Sequence, residues 1–256
     1  MVIVDVHAHA GGHDPVFEKD FAIADVIAAH DANGVDATIV QASSPLDLAD
    51  ARRQHDEIAT LTRERSGEFF GMALPNPHLP EVDYVGEMRR CVKELGFVGV
   101  KLQPLAHAVN PGSRAGRMVF ETALELDIPV MIHTGSGIPW GLPSLVAPVA
   151  RDYPQVRVVL AHSGMNVFAL EALELARSYR NVWLETSWTS GHLIKLFIQD
   201  LGPERLLFGS DLPYNVSIEL FKHRAIGLKD SDLEWVLGRT AIQIFRLNHR
   251  ILAGTD

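Results

Sequence analysis

The chain has one cysteine, Cys91, among its 256 residues. No disulfide framework or multi-cysteine metal knuckle can be built from it, and a chain of this length needs neither to bury a core. It lacks a basic run: 23 Lys and Arg stand against 32 Asp and Glu, a formal net charge of −9, which makes nucleic acid and anionic membranes poor partners. It lacks any stretch of about 18 uninterrupted apolar residues, so nothing spans a bilayer. It also lacks a Ser/Gly-rich linker or low-complexity tract, and the expectation is one domain over 1–256. A strand-like run, Val2-Ile3-Val4-Asp5, begins directly after Met1. No room remains there for a signal peptide, and the expected location is the cytoplasm.

What is present is an alternation. Short β-rich runs occur at Val2–His9, Ala37–Ala42, Phe69–Leu74, Val98–Gln103, Pro129–Thr134, Val156–His162, Val182–Thr186 and Leu206–Asp211. Eight strands in 256 residues leave about 32 residues each, the size of a strand with its crossover helix. Helical spacing recurs between them, as in Ile23, Val26, Ile27 and His30, or Val85, Met88, Val92 and Leu95. Leu233, Leu237, Ala241 and Ile244 form a closing stripe, with Ser231 and Glu234 in front of it spaced as a capping box. Strand–helix alternation predicts a parallel sheet, and eight such units predict a (β/α)8 TIM barrel. An open nucleotide-binding sheet would carry a Gly-rich loop after its first strand, where this chain has His-Ala-His.

TIM barrels hold their chemistry at the C-terminal ends of the strands. There the chain places four of its 12 histidines, His7, His9, His133 and His162, beside Asp211 and Lys101. Period-two alternation predicts that Asp5, His7 and His9 face into the barrel while Val4, Val6 and Ala8 face the helices. The same parity points His133 and Asp211 inward, and an inward carboxylate left unpaired costs several kcal/mol. Neutral imidazoles converging with a carboxylate form a nitrogen and oxygen site suited to Zn²⁺, Fe²⁺ or Mn²⁺.

The spaced set His-X-His, His133, His162 and Asp211 resembles the signature of the amidohydrolase superfamily. Gly96–Pro104 (GFVGVKLQP), Asn181–Ser187 (NVWLETS), Arg205–Pro213 (RLLFGSDLP) and Val236–Leu247 are similar to its amidohydrolase-2 branch, which includes the aminocarboxymuconate-semialdehyde decarboxylase relatives. The resemblance runs from residue 2 to about 247. It implies His7, His9, His133 and Asp211 as ligands of one divalent metal, zinc first and manganese or iron next. It implies His162 as the group that polarises substrate or moves a proton, and Asp211 as a proton carrier as well as a ligand. A second metal bridged by a carboxylated Lys101 is the two-metal variant of the same pattern. Otherwise Lys101 and Asp5 stand behind the ligands. Gln103 stands where the branch often has His, and Glu185 where it often has Asp.

The expected function is therefore a metal-dependent hydrolase that cleaves an amide, lactone or ester bond of a small polar molecule with a metal-activated water. The alternative is a non-oxidative decarboxylase of an unsaturated or aromatic acid, with Arg114 or Arg117 orienting the carboxylate. A metal-independent lactonase or a binding barrel is the third reading. Loop residues His107, Arg114, Trp140, Trp188, His192 and Tyr214 are candidates to touch substrate, together with Gln103. Gly135–Trp140 reads as a lid with glycine hinges. Cys91 and His30 read as packing residues, and His55, His223 and His249 as solvated ones. The partner is a small molecule, and self-association is compatible with all of this.

Overall fold

A computed structural model describes residues 1–14 and 19–247 of the chain, so His249 lies outside the described residues. Eight parallel strands run in chain order: β1 (Val4–His9), β2 (Ala37–Gln41), β3 (Phe69–Ala73), β4 (Gly99–Leu102), β5 (Val130–His133), β6 (Val158–Ala161), β7 (Val182–Glu185) and β8 (Leu206–Leu207). Each is shorter than its apolar run by one to four residues, at one end or both. The sheet closes through the segment after β8: Val6 N donates to Phe208 O at 3.2 Å, and Asp211 N to His7 O at 2.7 Å. The result is the eight-stranded barrel that the alternation predicts. A hairpin, Gly12–Asp14 against Lys19–Phe21, follows β1 and has too few alternating residues to be read from sequence. No helix among the described residues is long and apolar enough to cross a membrane.

Two apolar layers fix the barrel. Outside it, Val100, Leu102, Val130, Ile132, Val158 and Leu160 pack against buried helix residues such as Met88 of α1 (Glu81–Lys93) and Phe120 of α2 (Arg114–Leu126). Inside it, Val4, Val6, Ile39, Phe70, Met72, Met131, Val159 and Leu207 fill the lumen. Ala241, Ile244 and Phe245 of the closing helical segment seal the lower end in the same cluster. Each fully buried Leu, Ile or Phe contributes about 1.5–3 kcal/mol. The upper lumen is left to polar groups.

The first strand departs from simple alternation. Its register with β2 shifts between Asp5 and Ala8, a bulge that puts neighbouring residues on one side of the sheet. Val4 and Val6 therefore fill the lumen, contrary to the parity argument. Asp5 faces outward into a crevice with Val26, Ala29 and His30. His7 and His9 still face inward, as their contacts below show.

Other expectations are corrected by packing. Ser231 and Glu234 make no capping box: the helix over Asp230–Glu234 starts after Lys229, whose side chain makes no cap, and Glu234 pairs instead with Arg239 at 3.9 Å. His55 and His223 are fully buried rather than solvated. His55 Nδ1 bonds Glu87 Oε1 at 2.8 Å while its Nε2 accepts from Leu74 N at 3.0 Å. His223 bonds Thr186 Oγ1 at 2.9 Å and Glu219 O at 2.8 Å. An imidazole whose two nitrogens are both satisfied can be buried without the usual cost. His30 is buried against Thr38, and Cys91 is buried as expected.

Candidate active site

His7, His9, Lys101, His133, His162 and Asp211 meet at the upper end of the lumen. His7 Nε2 lies 3.2 Å and His9 Nε2 3.4 Å from Asp211 Oδ1. The His7 ring is centred 5.3 Å from that of His9 and 4.9 Å from that of His162. The His133 ring lies 5.0 Å from that of His162, with its Nε2 bonded to Ser136 O at 3.1 Å. Three of the sequence-predicted ligands thus meet directly, while His133 faces them from the side.

The tautomers follow from the partners. His7 Nδ1 sits 2.9 Å from Glu185 Oε2 and His9 Nδ1 3.1 Å from Ala42 O. Both partners only accept, so both Nδ1 atoms carry the proton and both Nε2 lone pairs face Asp211. Each lone pair accepts a bond: Lys101 Nζ lies 2.7 Å from His7 Nε2, and Gln41 Nε2 lies 2.8 Å from His9 Nε2. Burial holds the imidazoles neutral, reinforced by the Lys101 ammonium. His9 falls to about 3, His133 to about 4, and His7 and His162 well below the usual range. Lys101 is itself lowered to about 8 by burial, against the pull of Asp211 and Glu185.

The donor set fits a divalent cation. One ligand atom each from His7, His9 and Asp211 lies within 4.8 Å of the others, and an ion about 2.0–2.2 Å from each atom suits such a triangle. All three side chains are buried, which limits competition from water.

Left-handed backbone recurs at this end, as at His162 (φ 64°), Ser163 (47°), Trp188 (60°) and Asp211 (69°). That conformation costs a side-chain-bearing residue about 1–2 kcal/mol, and hydrogen bonds hold it here. Trp188 Nε1 donates to Asp211 Oδ2 at 2.8 Å, and His162 N donates to Glu185 Oε2 at 3.0 Å.

Above these groups lies a cavity of 250 Å³ lined by His9, Gln103, Leu105, His133, Ser136, His162, Met165, Trp188 and Asp211. Gln103 Oε1 is buried there without a hydrogen-bond partner among the described residues. Arg114 does not reach it: its side chain is 95% exposed and pairs with Glu81 at 3.6 Å on the barrel's outer face. Arg117 is taken by Asp152 at 2.8 Å. Tyr214 is exposed beneath the Lys19 ammonium, 5.1 Å from its ring centre. Trp140 is half-buried, and neither it nor Tyr214 lines the cavity. His107 is buried with its Nε2 on Pro45 O at 3.0 Å, and His192 is exposed beside Ser190. Loop position alone does not show which way a long side chain turns, and these residues find partners or solvent elsewhere. Asp5 binds Ser210 Oγ at 2.6 Å and His7 N at 3.1 Å from behind the strand, and burial pushes it up to about 7.

Sequence reading missed Gln41, Ser187, Leu105 and Met165 and gave no role to Glu185. Glu185 ends β7 two residues after Trp183, so the strand-end rule that selects His133 selects it equally.

An amidohydrolase family model (Amidohydro_2) matches residues 4–247. The chain is 27% identical to a gamma-resorcylate decarboxylase of Rhodococcus jostii, over 77% of each chain. A 2,6-dihydroxybenzoate decarboxylase bound to 2,6-dihydroxybenzoate superposes with a TM-score of 0.79 at 18% identity, covering 97% of this chain and 99% of that one. A dihydroxybenzoic acid decarboxylase of Polaromonas with bound manganese and 2-nitroresorcinol gives 0.77 at 20% identity, covering 96% and 97%. The sequence relative overturns the hydrolase expectation: it is a decarboxylase of an aromatic acid, not an enzyme that cleaves amides, lactones or esters. The preference for zinc finds no support beside a neighbour that holds manganese. With its matched span covering nearly the whole barrel, the chain belongs to the amidohydrolase family and is an enzyme of that superfamily.

Proposed function

We propose that the chain is a divalent-metal-dependent, non-oxidative decarboxylase of a small hydroxylated aromatic acid. The carrying observation is its similarity, across 77% of both chains, to a decarboxylase of such an acid. The cavity supports this reading. Leu105, Met165 and Trp188 supply apolar and aromatic walls for one ring, and 250 Å³ is just below the usual range of drug-sized ligand sites, as a single-ring ligand requires.

His7, His9 and Asp211 would hold the cation, with His133 completing the set by leaving Ser136 O. Lys101 and Gln41 would release the two Nε2 atoms as it binds. Manganese is the first candidate. When bound, the cation supplies a Lewis acid that anchors oxygens of the acid. The chemistry left to the protein is a substitution at carbon: a proton joins the ring carbon, the bond to the carboxylate breaks, its electron pair returns to the ring and CO₂ leaves. We assign that proton to Asp211, which would take it up from solvent before each turnover and is held at Oδ2 by the Trp188 indole N–H. His162 donates Nδ1–H to Ser187 Oγ at 2.8 Å, because the Ser187 hydroxyl donates to Glu185 at 2.9 Å. Its Nε2 is therefore an acceptor, suited to the proton of a substrate hydroxyl.

The test is incubation with Mn²⁺ and 2,6-dihydroxybenzoate or related hydroxybenzoates, following CO₂ and the decarboxylated phenol. Release of both supports the reading. No CO₂ from any hydroxybenzoate, by protein shown to carry Mn²⁺, overturns it.

A further inference from the structure

We infer that Glu185, which cannot touch substrate, is the positioning residue that sets both His7 and His162 through one carboxylate, and that Gly209 exists to make room for it. The inference rests on the decarboxylase reading for the roles of the two histidines. Its own basis is geometric.

Glu185 is fully buried and does not line the cavity. Oε2 accepts from His7 Nδ1 at 2.9 Å, from His162 N at 3.0 Å and from Ser187 Oγ at 2.9 Å, while Oε1 accepts from Ser187 N. Four donors use the acceptor capacity of one carboxylate. Because the Ser187 hydroxyl is committed to Glu185, its oxygen is left to accept from His162 Nδ1. One carboxylate therefore fixes the ring orientation and tautomer of His7 directly, and those of His162 through a single hydroxyl. Both Nε2 lone pairs are delivered toward the site. A residue orienting one ligand is common; here the ligand and the proton-handling group share it.

Gly209 closes the arrangement. A Cβ there would stand 2.6 Å from Glu185 Oε1 and 2.9 Å from His7 Cβ, so any side chain displaces the carboxylate or the imidazole. The glycine of the Phe208-Gly209-Ser210-Asp211 stretch is a clearance for Glu185, with no left-handed backbone requirement behind it.

The experiment compares wild type, E185Q, S187A and G209A. Mn²⁺ affinity is measured by equilibrium dialysis, CO₂ release by steady-state kinetics, and the ¹⁵N shifts of His7 and His162 in metal-free protein by NMR. The amide introduced by E185Q would present N–H groups to donors, so this variant should weaken Mn²⁺ binding about 10–100-fold, lower kcat and shift both imidazoles. G209A should follow E185Q, and it probes the same contact if E185Q does not fold. S187A should shift only His162, lowering kcat roughly tenfold or more with Mn²⁺ affinity close to wild type. Unchanged imidazole shifts and Mn²⁺ affinity in folded E185Q or G209A would overturn the inference, as would S187A and E185Q giving one common profile. Wild type that binds no Mn²⁺ would instead strike the functional reading, and the metal-free ¹⁵N shifts would still decide this one.

Discussion

Lys101 Nζ and Asp211 Oδ1 converge on one atom: the lysine donates to His7 Nε2 at 2.7 Å, and the carboxylate oxygen, itself an acceptor, stands 3.2 Å from the same nitrogen. A cation held between the histidines must displace that ammonium. Lys101 is depressed from 10.5 to about 8, so the folded state binds fewer protons than the unfolded state between those values. Stability should therefore rise as pH climbs from about 8 toward 10.5, with the penalty for a buried ammonium fully present below 8. K101M should remove this component and bind Mn²⁺ more tightly at pH 7. Denaturant unfolding of both proteins at pH 7 and pH 10 checks the first part, and dialysis the second.

His9 and His133 are held down to about 3 and about 4. Their unfolded forms take up protons near 6.5 while the folded forms resist. Stability should fall progressively as pH drops from about 6.5 toward 4, and should be full above 6.5. H133N should shallow that slope without abolishing folding. Urea midpoints across pH 4 to 7 give the measurement, and a slope unchanged by the substitution would count against a neutral buried His133.

Trp188 holds Asp211 by one indole N–H in a left-handed turn. W188F keeps a ring over the cavity but removes the indole donor to Oδ2. The expected result is a fall in kcat of about tenfold, the scale of one lost hydrogen bond to a charged group, with KM moving less. Steady-state kinetics on a hydroxybenzoate decides it.

Gln103 Oε1 is buried without a donor among the described residues, and such a group costs about 1–3 kcal/mol when left unpaired. Q103M should leave thermal stability equal to or above wild type while raising KM. R114A, in contrast, removes an exposed cation on the outer face and should leave KM within about twofold. If R114A raised KM tenfold, the placement of that side chain outside the site would be wrong.

Much of the barrel was legible because each strand-plus-helix unit carries its own apolar period, and all eight strands form where runs such as Val130–His133 announce them. The site residues were legible for a related reason, since polar groups at strand ends such as His133 and Asp211 have nowhere apolar to go. The orientation of Val6 and Asp5 was not, because a bulge is a matter of register between two strands and leaves no mark on one of them. Arg114 and His107 failed differently. A loop position fixes where a chain passes, while the partner that captures a side chain, Glu81 or Pro45 O, lies far away in sequence. Hydrolysis and decarboxylation are not separable at the level of residues, because both reactions use the same donor atoms.

The cavity walls contain no arginine among the described residues, and this bears on turnover. On the decarboxylase reading, an incoming acid would be drawn by its charge toward Lys101 and a bound cation. Loss of CO₂ would remove that charge and leave a neutral phenol between Leu105, Met165 and Trp188, held by its hydroxyl contacts and by dispersion alone. Departure of the product should then be quick, and the slow event in each cycle should be the breaking of the carbon–carbon bond itself.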